Sequence, residues 1–218
     1  MIKTAIFDLD GTLAYTLPDL LTAINAIKRN HGIAPIDEDE LLRFVNYDTV
    51  TFVKKSIPDV REEDIPAIFD EYMGIYLAHM CDKTRPYDGI PDVLEQLKAR
   101  GVRLFVMTNK DTVAAKGMCD KLFGETMFEG VYGPGGQWQM KAKPDPDGVY
   151  RIMKITGSSA DETVFIGDSD VDVNTGRNAG VHVLGCEWGY RGRAFLEDIG
   201  AVVCSDPGEL LKKINDFQ

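Results

Sequence analysis

Two aspartates, Asp8 and Asp10, close a short apolar run, Lys3-Thr4-Ala5-Ile6-Phe7, and are followed by Gly11-Thr12. On an extended segment side chains two apart point the same way, so both carboxylates face one place. A second apolar run, 102–107, ends at Thr108-Asn109-Lys110, and a third, 163–166, ends at Gly167-Asp168-Ser169-Asp170-Val171-Asp172. If these runs are parallel strands, their carboxyl ends share one crevice, and Asp8, Asp10 and Asp168 gather in it. Carboxylates that close repel one another unless a cation sits among them. Oxygen donors without His or Cys select a hard ion, Mg2+. A metal-held aspartate with a free oxygen can attack phosphorus to form an aspartyl-phosphate. The carboxylate two residues on can protonate the leaving alkoxide and then deprotonate the hydrolytic water. The transferred group also needs hydrogen-bond donors and a cation on its oxygens. Thr108 offers a hydroxyl, the backbone around Asn109 offers N–H groups, and Met140-Lys141-Ala142-Lys143-Pro144-Asp145-Pro146 offers a lysine.

The elements that must position these groups follow from periodicity. After the first run, Leu20, Leu21, Ile24 and Ile27 fall at helical spacing, with Pro18 suited to a first turn and Gly32 to a stop. Further helices are expected over 39–45 and 50–57, and the clearest over 61–81, where Ile65, Ile68, Phe69, Tyr72, Ile75, Tyr76 and His79 form a stripe. No strand is expected within 15–82. Beyond a linker at 83–89 the character changes. Helices over 90–100, 112–123, 146–155, 171–179, 194–199 and 209–217 alternate with strand-like runs at 102–107, 127–132, 163–166, 181–184 and 201–204. Such alternation means βαβ units and a parallel sheet. The expected fold is α/β, a Rossmann-like parallel sheet core with an inserted all-helical cap domain. Residues 1–14 and 84–218 form the core, and 15–83 form the cap.

Composition sets the limits on partners. The 218 residues are 44% hydrophobic and 27% charged, close to the globular average, so a sizeable core is expected. Asp plus Glu is 35 against 24 Lys plus Arg, a net charge of −11. So acidic a surface repels nucleic acid and anionic lipid, and neither is an expected partner. No apolar run approaches the ~18 residues of a membrane span, and Asp8 interrupts the start too soon for a signal peptide. Four scattered cysteines without a Cys-x-x-Cys pair read as reduced thiols of a cytoplasmic protein.

Taken in order, Asp8-Leu9-Asp10-Gly11-Thr12-Leu13, Thr108-Asn109, Lys143-Pro144-x-Pro146 and Gly167-Asp168-Ser169-x-x-Asp172 resemble the four motifs of haloacid dehalogenase-like hydrolases. With Asn178-Ala179-Gly180 and Trp188-Gly189-Tyr190-Arg191 the resemblance covers essentially the whole chain, and it is to the phosphoglycolate phosphatase-like subgroup. It implies a Mg2+-dependent phosphatase that hydrolyses a small-molecule phosphate monoester through an aspartyl-phosphate. Asp8 would be nucleophile and metal ligand, and Asp10 acid/base with its backbone carbonyl on the metal. Thr108, Asn109 and Lys143 would bind the phosphoryl group. Asp168 would be the other metal ligand, and Asp172 a carboxylate near Lys143 or the metal. The implied partner is a small phosphorylated metabolite, bound by a monomer or weak homodimer. A sugar phosphomutase or another phosphoryl transferase of the superfamily stays open, as does a phosphoacceptor of a signalling type.

Two departures bear on the substrate: Ala14-Tyr15-Thr16 after the first motif, and Asn46-Tyr47-Asp48 where the subgroup has a glycine-rich turn. Bland readings remain beside the sharp ones. Asp-x-Asp-Gly alone is a turn, and Asp168, Asp170 or Asp172 could merely cap the following helix. Gly133-Pro134-Gly135-Gly136 reads as a connector, His79 as a core or cap-interface residue, and Trp188-Gly189-Tyr190-Arg191 as packing beside the site, with Arg191 at its rim.

Overall fold

The computed structural model describes residues 1–58, 60–134 and 140–217. Along the chain, β1 is Thr4–Phe7, β2 Ala14–Tyr15, α1 Leu17–Asn30, α2 Glu38–Leu42, α3 Thr49–Ser56, α4 Ile65–His79, β3 Arg85–Pro86 and α5 Ile90–Ala99. The second half runs through β4 Arg103–Met107, α6 Thr112–Phe123, β5 Gly130–Tyr132, α7 Asp147–Thr156, β6 Thr163–Gly167, α8 Asp170–Ala179, β7 His182–Cys186, α9 Gly192–Asp198, β8 Val203–Cys204 and α10 Pro207–Asp216.

Six strands form one sheet in the order β5-β4-β1-β6-β7-β8, and every pairing within it is parallel. The chain winds outward from β1 in both directions, so the strand order reverses there. Such a switch point opens a crevice at the carboxyl ends of the central strands, here β1, β4 and β6. Alternation along these strands explains how both sheet faces are covered. Ile6, Phe105, Met107 and Phe165 pack with Val149 and Ile152 of α7. Ala5, Phe7, Leu104, Val106, Val164 and Ile166 point the other way, into a cluster with Leu94, Leu97, Ala114, Ala115, Leu210 and Ile214. That cluster continues without a break through Leu13 and Leu17 to Ile24, Phe52 and Tyr72 of the helical block.

The helical block, α1 to α4, leaves and rejoins the sheet through a two-residue antiparallel ribbon, β2 with β3. Tyr15 therefore lies in a strand where none was expected. Asp19, 2% exposed in the first turn of α1, accepts the backbone N–H of Lys83 and of Thr84 at 3.0 and 2.8 Å, which ties the two crossings together. The helix expected over 61–81 is a 3-10 turn, Glu62–Asp64, followed by α4. Pro66 has no N–H to give and sits in the first turn of α4, where none is needed. His79 is not a core residue: its side chain is 60% exposed and pairs with Asp82 at 2.8 Å. The connector at Gly133-Pro134-Gly135-Gly136 lies partly outside the described residues. Among the described residues, no helix is long and apolar enough to cross a membrane.

Candidate active site

The site is built where β1, β4 and β6 end. Asp8 continues the β1 ladder, its N–H donating to Ile166 at 2.8 Å. The chain then turns sharply, with Leu13 and Ala14 both donating to the carbonyl of Leu9. Gly11 sits in the left-handed region at φ +80°, and a Cβ there would come 2.5 Å from Asp168 Oδ2. Only glycine meets both demands. Gly189 is squeezed in the same way, since its Cβ would lie 2.2 Å from that of Asp168. The turn thus presses the β1 and β6 ends together, with Asp168 between two glycines.

Asp8, Asp168 and Asp172 are all buried and offer carboxylate oxygens within 4.8 Å of one another. Asp168 accepts from Thr12 Oγ1 at 3.1 Å and from the Tyr190 N–H at 2.7 Å. Ser169, not an aspartate, caps α8, and it shares a capping box with Asp172. Asp172 accepts from Ser169 Oγ at 2.6 Å and from Lys143 Nζ at 2.5 Å. Lys143 Nζ also lies 2.8 Å from Asp8 Oδ1. Among the described residues, that ion pair is the one polar contact of the buried Asp8 Oδ1. Burial, then the charge of Asp172, pushes the Asp8 carboxyl up to about 7, with Lys143 opposing. Asp168 is raised well above the carboxylate range by burial and by Asp172 and Asp8. Burial works against the Lys143 ammonium, but Asp172 and Asp8 outweigh it and hold its pKa above the usual lysine range.

This donor set fits a hard divalent cation: oxygen ligands only, a buried Asp8 oxygen met only by the Lys143 ion pair, and neighbours whose ionisation is opposed by burial and mutual repulsion. Asp8 and Asp168 are the residues that would hold it, with Asp172 adjacent and drawn toward Lys143.

The other expected residues fall around this cluster. Thr108 is 3% exposed at the end of β4, its N–H donating to Tyr132. Asn109 uses its whole side-chain amide on backbone, accepting from Lys143 N at 2.7 Å and donating to the carbonyls of Lys143 and Asn46 at 3.1 and 3.0 Å. It therefore clamps the lysine segment to β4 and to the helical block. Lys143 is buried, whereas Lys141 is exposed and paired with Asp145. Asp170 is half-buried at the start of α8. A cavity of about 10 Å3, room for about one water, remains among Asp8, Thr108 and Lys143 beneath Val45 and Asn46.

The side chain of Asp10 takes a different direction. It accepts from Thr16 Oγ1 at 2.5 Å and from Lys110 Nζ at 2.8 and 3.0 Å on its two oxygens. Thr16 is held in turn by Tyr190, whose hydroxyl accepts its N–H at 3.0 Å. Lys110 is 7% exposed and lies 4.9 Å from the ring centre of Tyr76. Lys110, Thr12, Thr16 and Tyr190 are site residues that motif reading passes over. For Lys110 a signal existed: it directly follows Thr108-Asn109 at a strand end aimed at a cluster of acids. Of the Trp188-Gly189-Tyr190-Arg191 run, Trp188 donates to the Thr12 carbonyl at 3.0 Å, so this segment braces the turn after β1.

Known proteins resemble this chain in sequence and fold. A phosphoglycolate phosphatase from Agrobacterium fabrum is 31% identical over 206 residues, which is 93% of this chain and 88% of that one. An N-acetylmuramic acid 6-phosphate phosphatase from Pseudomonas aeruginosa is 28% identical, over 87% of this chain and 83% of its own. The crystal structure of a protein described as a predicted phosphoglycolate phosphatase from Haemophilus somnus superposes with a TM-score of 0.90 at 25% identity, covering 97% of each chain. A family model for haloacid dehalogenase-like hydrolases matches residues 5–186, from β1 to the end of β7. With that match and these relatives, the chain belongs to the haloacid dehalogenase-like hydrolases.

Proposed function

We propose that this chain is a Mg2+-dependent phosphatase of the phosphoglycolate phosphatase type, hydrolysing a small phosphate monoester through an aspartyl-phosphate on Asp8. The observation that carries this reading is Asp8 Oδ1, a buried carboxylate oxygen whose one polar contact among the described residues is the Lys143 ammonium, in a small cavity shared with Thr108. Asp8, Asp168 and the Asp10 carbonyl would hold Mg2+, which would supply charge neutralisation for the phosphoryl group.

An oxygen of Asp8 attacks phosphorus and the bond to the leaving oxygen breaks, with Asp10, having first taken a proton from the substrate monoanion, passing it to that oxygen. Lys143 and the Thr108 hydroxyl bind the equatorial oxygens while charge redistributes over them. Asp10, now a carboxylate, takes a proton from water. That water attacks the phosphorus of the acyl phosphate, releasing phosphate and restoring Asp8. Asp172 holds the Lys143 ammonium, Ser169 holds Asp172, and Asn109 fixes the lysine backbone.

The chain divides in this reading into a core, 1–14 and 84–218, and a cap, 15–83, that closes over the site and keeps bulk water out. It acts in the cytoplasm, as a monomer or weak homodimer, a compartment that suits its four free cysteines. The test is phosphate release from 2-phosphoglycolate, sugar phosphates, nucleotides and pyrophosphate, with Mg2+ and with EDTA. Release that requires Mg2+ and is confined to monoesters supports the reading. Transfer of the phosphoryl group between sugar hydroxyls without release of phosphate overturns it.

A further inference from the structure

An open groove of about 480 Å3, within the size range of small-ligand sites, lies against the β2–β3 ribbon. It shares no lining residue with the catalytic cavity. One wall is the ribbon and the turn after it: Tyr15, then Arg85, Pro86, Tyr87 and Asp88. The facing wall is Trp188-Gly189-Tyr190, and Ser205-Asp206-Pro207 at the start of α10 closes the end.

The four aromatic side chains are half-buried, and Tyr15 meets Tyr87 and Tyr190 edge-on at 6.3 and 6.4 Å. Three of their polar atoms are spent outside the groove. Tyr15 donates to Glu38 at 3.1 Å, Trp188 to the Thr12 carbonyl at 3.0 Å, and the Tyr190 hydroxyl accepts the Thr16 N–H at 3.0 Å. What these rings offer a ligand is aromatic surface. Asp206 caps α10, accepting the Glu209 N–H at 2.9 Å, and Ser205 donates its own N–H to the Glu209 carboxylate. Two charged groups are left, both exposed: Arg85 and Asp88. The Arg85 guanidinium lies 5.0 Å from the centre of the Tyr15 ring, and among the described residues neither it nor Asp88 has an ion-pair partner.

We infer that this groove binds a zwitterionic α-amino acid with a flat side chain, its ring on Tyr87, Trp188 and Tyr190, its carboxylate on Arg85 and its ammonium on Asp88. An unpaired guanidinium and an unpaired carboxylate in one groove are both answered by a ligand that carries both opposite charges. A plain anion or cation would satisfy one and be repelled by the other. The occupant reaches the chemistry through the wall it touches. Tyr190 donates its N–H to Asp168 at 2.7 Å, and Thr16, bonded to the Tyr190 hydroxyl, donates to Asp10. A ligand in contact with both walls ties the ribbon, and with it the helical block, to this segment. In the phosphatase reading, on which this last step rests, product leaves as the block moves away, so occupancy slows turnover.

The test is titration calorimetry with L-phenylalanine, with 3-phenylpropionate, which lacks the ammonium, and with 2-phenylethylamine, which lacks the carboxylate. Wild type is expected to bind L-phenylalanine with a Kd below about 1 mM. Each truncated analogue should bind at least roughly tenfold more weakly, the worth of a hydrogen bond to a charged group. Arg85→Gln should weaken L-phenylalanine by a similar factor without weakening 2-phenylethylamine. Asp88→Asn should weaken L-phenylalanine without weakening 3-phenylpropionate. At saturating phosphate ester, L-phenylalanine should lower kcat in wild type and not in Arg85→Gln. No binding of L-phenylalanine by wild type, or losses that do not follow this pairing, overturns the site. Binding that leaves kcat unchanged overturns its link to catalysis. The calorimetry needs no turnover, so its failure and that of the phosphatase reading are told apart.

Discussion

Replacing Lys110 by Met tests whether Asp10 is held for chemistry by a buried ion pair. Both partners are 7% exposed, and Nζ sits 2.8 and 3.0 Å from the two carboxylate oxygens. At an effective dielectric of about 20, attraction across such a gap is about 6 kcal/mol, much of it offset by desolvating the two charges. Removing one partner forfeits the attraction and keeps the desolvation cost of the other, a net loss of about 3–5 kcal/mol. Thr16 remains on Asp10 and softens the loss. Lys110→Met is therefore expected to lower unfolding free energy by about 3 kcal/mol, read from urea denaturation. Asp10→Asn with Lys110→Met should cost less than the two single changes added, with a coupling of about 2 kcal/mol. In kcat, Asp10→Asn is expected to lose about 10²–10⁴-fold as an acid/base removed. Lys110→Met should lose at least tenfold through misplacement of the same carboxylate. If Lys110→Met unfolds within about 1 kcal/mol of wild type and the cycle is additive, the ion pair does not position Asp10 and the reasoning fails.

Asp8→Asn is expected to abolish Mg2+-dependent hydrolysis of an aryl phosphate with the circular dichroism spectrum unchanged; residual turnover above background would remove Asp8 as nucleophile. In metal-free protein the Asp8 carboxyl, raised from 3.8 to about 7, contributes stability that is fully present below its unfolded pKa and is lost as pH rises through about 7. The unfolding free energy of wild type relative to Asp8→Asn should thus decline between about pH 4 and 7. Saturating Mg2+ should reverse the decline, and a flat difference without metal would refute the burial argument. Asp19→Ala removes the acceptor of the Lys83 and Thr84 N–H groups. It is expected to cost about 3 kcal/mol and to speed amide exchange at residues 83 and 84; exchange that stays slow would mean the crossing is held elsewhere.

The parts of this architecture legible in the sequence were those written within a few adjacent residues. Strands β1, β4 and β6 stand out because burial on both faces demands continuous apolar runs, and each run stops at a functional polar residue. Asp8, Thr108 and Asp168 could be placed at one crevice on that basis. For Lys110 only its place after Thr108-Asn109 was a signal, because its partners are Asp10, one hundred residues earlier, and Tyr76 on α4. The β2–β3 ribbon has two residues per strand, too few for any period, with partners some seventy positions apart. Helical spacing carried His79 onto the apolar stripe, but it is the last residue of α4, where the stripe runs out into solvent. For Asn109 the sequence points to the backbone N–H groups around it; the clamp its side chain makes on the backbone of Lys143 and Asn46 joins segments too far apart in sequence to be read there.

The acidity of the chain, −11 overall, looks ill suited to an anionic substrate until the charges of the crevice are taken in pairs. Four buried carboxylates, Asp8, Asp10, Asp168 and Asp172, face two buried ammonium groups, Lys110 and Lys143. Lys110 answers Asp10, and the hydrogen bond of Lys143 goes to Asp172. The two left without a full partner, Asp8 and Asp168, are those whose carboxyls are pushed upward. Two unbalanced negative charges in a buried space are what one divalent cation neutralises. With such a cation bound the crevice would be near neutral, and in the proposed reading Lys143 and the Thr108 hydroxyl would be left for the phosphoryl group while the acidic surface stays in water. The same count explains why a univalent cation would not serve. It would leave one buried charge uncompensated between Asp8 and Asp168, the two carboxyls that burial already pushes upward.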